Sequence, residues 1–95
     1  MFYVVELLLD TEQGEVSDYK VFSSFGDAEK RYYAAFSRVL SGEPVRSKSQ
    51  QYVEVLRGRV FETHAADAEE AVTLVRRGNA RILMDTENEL DLDIE

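Results

Sequence analysis

The chain has 95 residues, with 19 acidic against 11 basic side chains, a formal charge of -8, 44% apolar residues and no cysteine. That size suits one domain able to bury roughly 60–68% of its unfolded surface, and the apolar share excludes disorder of the whole chain. The missing cysteines exclude disulfides, thiolate metal centres and a Cys nucleophile, and the acidic balance argues against strong nonspecific binding to nucleic acid or anionic membrane. The opening segment lacks a basic start and meets Glu6 early, unlike a signal peptide. No apolar run approaches the roughly 18 residues of a spanning helix. A soluble, cytoplasmic protein without a membrane partner is expected.

Phe2 to Leu9 is a nearly continuous apolar run broken by Glu6, the mark of a strand covered on both faces or a central strand with one open position. Residues 10–15 are polar and contain Gly14, which reads as a turn. Val16 to Phe22 alternates as a half-buried strand does, so the two runs form a hairpin. From Ser24 to Ser41 the period changes. Ala28, Tyr32, Ala35, Phe36, Val39 and Leu40 share one helical face. Ser24 and Asp27 have capping-box spacing, with Asp in place of the usual Glu or Gln. Gly42 and Pro44 supply the stop.

Residues 42–51 are polar and rich in breakers, and read as an exposed loop. Tyr52 to Leu56 and Arg59 to His64 are strand-like, with Arg57-Gly58 as a tight turn between them. Arg-Gly is a weak hairpin signal, so one long bent strand is the alternative. Asp67 caps a second helix, with Glu69 and Glu70 in its first turn facing the positive dipole end. Ala71, Val72, Leu74 and Val75 form its apolar face, and Arg76, Arg77 and Gly78 close it. Ala80 to Met84 is a last strand.

Val21-Phe22 followed by Asp27-Ala28-Glu29 echoes Val60-Phe61 followed by Asp67-Ala68-Glu69, a weak internal repeat. The expected fold is α+β, a two-layer sandwich of ββαββαβ order. Both helices lie on one face of a largely antiparallel sheet. A ferredoxin-like βαββαβ fold is the alternative if either hairpin is one strand. Residues 1–84 make the domain and 85–95 an acidic C-terminal tail.

Chemistry-bearing patterns are sparse. His64 is the single histidine, and no spacing matches a metal site. Glu62, His64 and Asp67 could form a pH-responsive spot, though a strand-end histidine beside a carboxylate is the plainer reading. Glu69 and Glu70 are accounted for by the helix start. No nucleophile elbow and no phosphate-binding glycine loop occurs. No cofactor, metal or catalytic residue is assigned, and no enzyme activity is expected. Residues 45–84 hold seven basic against five acidic side chains. That excess is too small for a phosphate-binding face, and no RNP-like aromatic motif accompanies it.

Two features suit interaction instead. Tyr33 lies about 100° round the helix from the apolar Tyr32 position, at the rim where interface tyrosines occur. In the tail, acids fill every odd position from Asp85 to Glu95 while Leu90, Leu92 and Ile94 fall between them. If extended, the tail would present an apolar face and a face of Asp91 and Asp93, as a strand added to a sheet edge does. With six of the 19 acids in the tail, residues 1–84 hold 13 acids against 11 bases. The expected function is a noncatalytic, self-associating protein–protein interaction module, a homodimer with a possible protein partner, working through its sheet face or its tail. The alternatives are an acidic nucleic-acid mimic of the phage inhibitor type, and a small-molecule-binding or catalytic α+β protein.

Overall fold

A computed structural model describes residues 1–46 and 51–92. Among them are five strands, β1 (Phe2–Thr11), β2 (Gly14–Phe22), β3 (Val45–Arg46), β4 (Tyr52–Thr63) and β5 (Arg81–Asp85). Three helices accompany them: α1 (Phe25–Ser41), α2 (Ala68–Arg76) and α3 (Thr86–Leu92). The fold is α+β, as expected, with one open and wholly antiparallel sheet. Its order is β2-β1-β4, and the far edge of β4 carries β3 beside its start and β5 beside its end.

The doublets Val4-Val5 and Val60-Phe61 organise the core. Adjacent strand residues point to opposite faces, yet Val4, Val5 and Val60 are wholly buried and Phe61 nearly so. Both faces must therefore be covered at this level. Val5, Leu7 and Val60 pack with Ala28, Tyr32 and Ala35 of α1. Val4 and Phe61 pack with Ala65, Ala71 and Val75, at and before α2. The two helices thus form helix-on-sheet layers back to back. This corrects the expectation that both lie on one face.

The strand β4 is continuous, which corrects the turn at Arg57-Gly58. Arg57 pairs with Leu8 and Gly58 with Leu7. Gly58 serves close packing under α1: a Cβ there would meet Leu7 Cδ2 at 3.3 Å, Thr86 Cγ2 at 3.6 Å and Ala35 Cβ at 3.7 Å. The irregularity lies instead at a bulge opposite Leu8 and Leu9. The ferredoxin-like alternative fails as well, because β1 and β2 are joined directly as a tight hairpin where that fold places a helix after its first strand.

Smaller differences are local. The hairpin loop shrinks to Glu12-Gln13, with Thr11 paired to Gly14, whose φ of 107° suits glycine. The expected loop contains β3, and its residues 47–50 lie outside the described residues. Ser24 takes an extended N-cap backbone but makes no side-chain cap bond, so the expected capping box is not formed. Asp67 does cap α2, its Oδ1 accepting from the Glu70 N–H at 2.8 Å.

Regular structure also continues past Met84, with β5 ending at Asp85 and α3 following it. Asp85 and Thr86 are both buried, and the chain is helical over Thr86–Leu92. The backbone of this stretch is thus helical where an extended tail was expected. Asp93 and Ile94 lie outside the described residues.

Candidate interaction surfaces

A sheet longer than its helices leaves part of itself uncovered. The 12 residues of β4 span about 40 Å when extended, against about 25 Å for the 17 residues of α1. The end of the sheet nearest the β1–β2 loop projects beyond both helices. On the α1 face of this projection the register brings together Leu9 with Val16, Leu9 with Val55, and Val45 with Val53. Every one of these is apolar. Val16 is 45% exposed and the others are half-buried.

All of these but Val16 line an open concavity of about 730 Å³, floored by Leu7, Leu9, Val45, Val53 and Val55. Asp18, Lys20, Arg31 and Arg46 stand at its rim. Asp18 and Arg31 are paired at 3.3 Å and both stay well exposed, so their attraction is weak. Arg46 lies 5.1 Å over the Tyr52 ring and donates to its hydroxyl at 3.3 Å. The rim is thus cationic on balance and the floor apolar.

The α2 face of the sheet carries a charged array beside this end. Glu6 of β1 lies opposite Arg59 of β4, which lies opposite Asp85 of β5. Arg59 donates to Glu6 through Nε at 2.7 Å, and its guanidinium lies 5.1 Å over the Phe61 ring. Arg57 takes Asp85 through two hydrogen bonds and reaches Glu87 at 3.4 Å. Burial opposes ionisation of the Asp85 carboxyl, but the Arg57 hydrogen bonds, one from the Glu87 N–H, and the charges of Arg57 and Arg59 outweigh it. The carboxyl therefore ionises below its ordinary range. The same hydrogen bond raises the Arg57 guanidinium further above its usual value. Each charge faces an opposite one, so this array joins β1, β4, β5 and α3 and leaves no free base or nucleophile.

The structure does not gather the expected polar site. Glu62 lies within β4, opposite Tyr3 and Arg81. His64 is exposed just beyond the strand, and the Asp67 carboxylate is engaged as the α2 cap. Among the described residues no three His, Asp or Glu side chains stand where they could hold a metal ion. The basic residues of this half do not converge either: Arg57 and Arg59 face carboxylates, and Arg76 lies 5.1 Å over the Tyr19 ring. No described helix is long and apolar enough to cross a membrane.

Tyr33 is 48% exposed on α1, edge-on to Tyr32 at a centroid distance of 5.3 Å, and does not line the concavity. Leu90, Asp91 and Leu92 fall in α3. Sequence reasoning pointed to an open sheet face bearing Tyr52, Val53, Val55 and Phe61 without locating the concavity, and it missed the charged array. The available signals were the period-two pairs Leu7/Leu9 and Val53/Val55, and the two-residue spacing of Arg57 and Arg59. Reading a turn at Arg57-Gly58 hid the second of these. No protein-family model, curated protein or solved structure matches this chain.

Proposed function

We propose that the protein is a noncatalytic interaction module that self-associates through the projecting half of its sheet. The observation that carries this reading is the apolar floor of Leu9, Val45, Val53 and Val55, which α1 covers only in part, at Leu9 and Val55. Contiguous apolar surface of this kind mark contact sites, and removing it from water is favourable by about 25 cal/mol per Å². The paired charges on the opposite face supply no reactive group, which supports a binding role over a catalytic one.

Sedimentation velocity on the full chain over a wide concentration range tests the reading. The unmodified protein is expected to associate, and Leu9→Glu with Val53→Glu to hold it monomeric while its circular dichroism stays unchanged. A wild-type chain that remains monomeric at the highest concentration overturns the proposal.

A second reading rests on the rim. Lys20, Arg31 and Arg46 around an apolar floor suit an acidic, apolar segment of a different protein. It predicts that the contact weakens steeply with added salt, whereas an apolar self-contact strengthens or holds.

A further inference from the structure

We infer that two copies of this chain join antiparallel along β2, about a two-fold axis through Tyr19, into one continuous ten-stranded sheet. The inference rests on the self-association proposed above and places a contact at the β2 edge, which borders the apolar floor through Leu9 and Val16 and leaves Val45 and Val53 uncovered.

The edge itself makes the first argument. β2 has nine residues, forms a regular ladder with β1, and pairs with nothing on its other side among the described residues. Its sequence contains no proline, and its ladder with β1 carries no bulge. Of the devices that normally blunt an edge, β2 carries only the charges of Glu15, Asp18 and Lys20. The opposite sheet edge is broken into β3 and β5, of two and five residues, and is a poorer template.

Hydrogen-bond parity makes the second. Thr11 and Gly14 close a two-residue loop, and such a closing pair exchanges both backbone bonds. Alternation then turns Val16, Asp18, Lys20 and Phe22 inward to β1. It leaves the N–H and C=O groups of Ser17, Tyr19 and Val21 facing outward. The parity agrees with the far side of β4, where the Gly58 N–H points away from β1 to Thr86 Oγ1 at 3.1 Å.

Charge selects the register. With Tyr19 opposite Tyr19 of the second copy, Ser17 meets Val21 and the outward groups bond in both directions. Asp18 then faces Lys20 of the second copy, and the symmetry makes this pair twice. Val16, 45% exposed in the single chain, comes to lie against Phe22 on the α1 face. These are non-hydrogen-bonded positions, with Cα atoms about 4.5 Å apart, where side chains interact most closely. Shifting the register by two residues either way sets Asp18 against Asp18 or Lys20 against Lys20, and the match is lost.

Charge reversal tests the arrangement on the full chain. Asp18→Lys and Lys20→Asp each create two like-charge pairs and are expected to weaken dimerisation roughly tenfold or more. Mixing the two variants restores opposite pairs in a heterodimer, and the double variant restores them in a homodimer. Because the chain has no native cysteine, a second arm reads the register without altering these charges. Tyr19→Cys is expected to form a disulfide dimer under mild oxidation, since a hydrogen-bonded pair sits about 5.5 Å apart at Cα, within disulfide reach. Ser17→Cys is expected to stay unlinked. A dimeric wild type indifferent to both reversals, or equal crosslinking at residue 17, overturns this interface and leaves self-association standing. A monomeric wild type overturns both.

Discussion

Arg57 holds Asp85 by both arms of its guanidinium, Nε to Oδ1 at 3.1 Å and Nη2 to Oδ2 at 2.6 Å. The Asp85 side chain is only 5% exposed, and Oδ1 also accepts the Glu87 N–H at 3.1 Å. One carboxylate thereby joins β4 to the end of β5 and caps the start of α3. Arg57→Ala leaves that charge buried and unpaired, and is expected to lower stability by about 3 kcal/mol. Asp85→Asn keeps an acceptor for the cap and is expected to lose less. Urea denaturation of both variants checks the order; an Arg57→Ala chain as stable as wild type contradicts it.

The same pair sets a pH dependence of definite sign. Asp85 ionises below its ordinary value of 3.8, so the folded state favours the carboxylate relative to the unfolded chain. Its contribution is complete above the unfolded value and is lost as pH falls through the lower, folded one. The stability difference between wild type and Asp85→Asn should be constant from neutral pH down to about pH 5 and shrink below that. Parallel denaturation series at pH 7 and pH 3 measure it, and a difference that grows on acidification has the wrong sign.

The residues show where the sequence was legible and where it was not. A nearly continuous apolar run marked β1 and period two marked β2, and Gly42 and Asp67 marked helix ends through local backbone chemistry that needs no tertiary context. The doublets Val4-Val5 and Val60-Phe61 announced burial on both faces, but not which element supplies each cover. That depends on where the chain crosses after β2 and after β4. Gly58 was ambiguous because a tight turn and a close approach both call for a missing Cβ; only the position of Ala35 above it decides. In the tail, strict alternation suggested a strand. Asp85 as a cap, with Glu87 and Glu89 in the first turn of α3, was an equally good helix signal. The projecting apolar face arises from a mismatch of lengths between sheet and helix, which no single segment displays.

Tyr32 is wholly enclosed between α1 and the sheet, and its hydroxyl is left without a hydrogen bond of normal geometry. Burial first, then the charge of Glu89 and its approach to the hydroxyl, and then the Asp85 charge, push that hydroxyl above its usual range, while the Glu89 contact is too poorly aligned to satisfy it. An unpaired buried hydroxyl contributes nothing favourable. Tyr32→Phe is therefore expected to leave stability unchanged or raise it by up to about 1 kcal/mol. Tyr32→Ala empties a site packed by Phe36 at 6.2 Å between ring centroids and is expected to lower stability by about 3–5 kcal/mol. A Tyr32→Phe loss approaching that of alanine would show that the hydroxyl is bonded after all.

Thr86 gives the sharpest separation between body and tail. It is fully buried, its Oγ1 accepts the Gly58 N–H at 3.1 Å, and its methyl lies where a Gly58 side chain would be. Thr86→Val preserves the shape and removes the acceptor, leaving a buried N–H unsatisfied, a loss of about 1–3 kcal/mol. Thr86→Ser preserves the acceptor and removes only the methyl, a loss of about 1 kcal/mol. A chain ended after Met84 loses Thr86 together with Asp85, strands Arg57 without its buried partner, and should be less stable than either substitution. Thermal melts of the three chains rank them. If the shortened chain melts with wild type, Asp85 and Thr86 belong to a dispensable tail and not to the folded body.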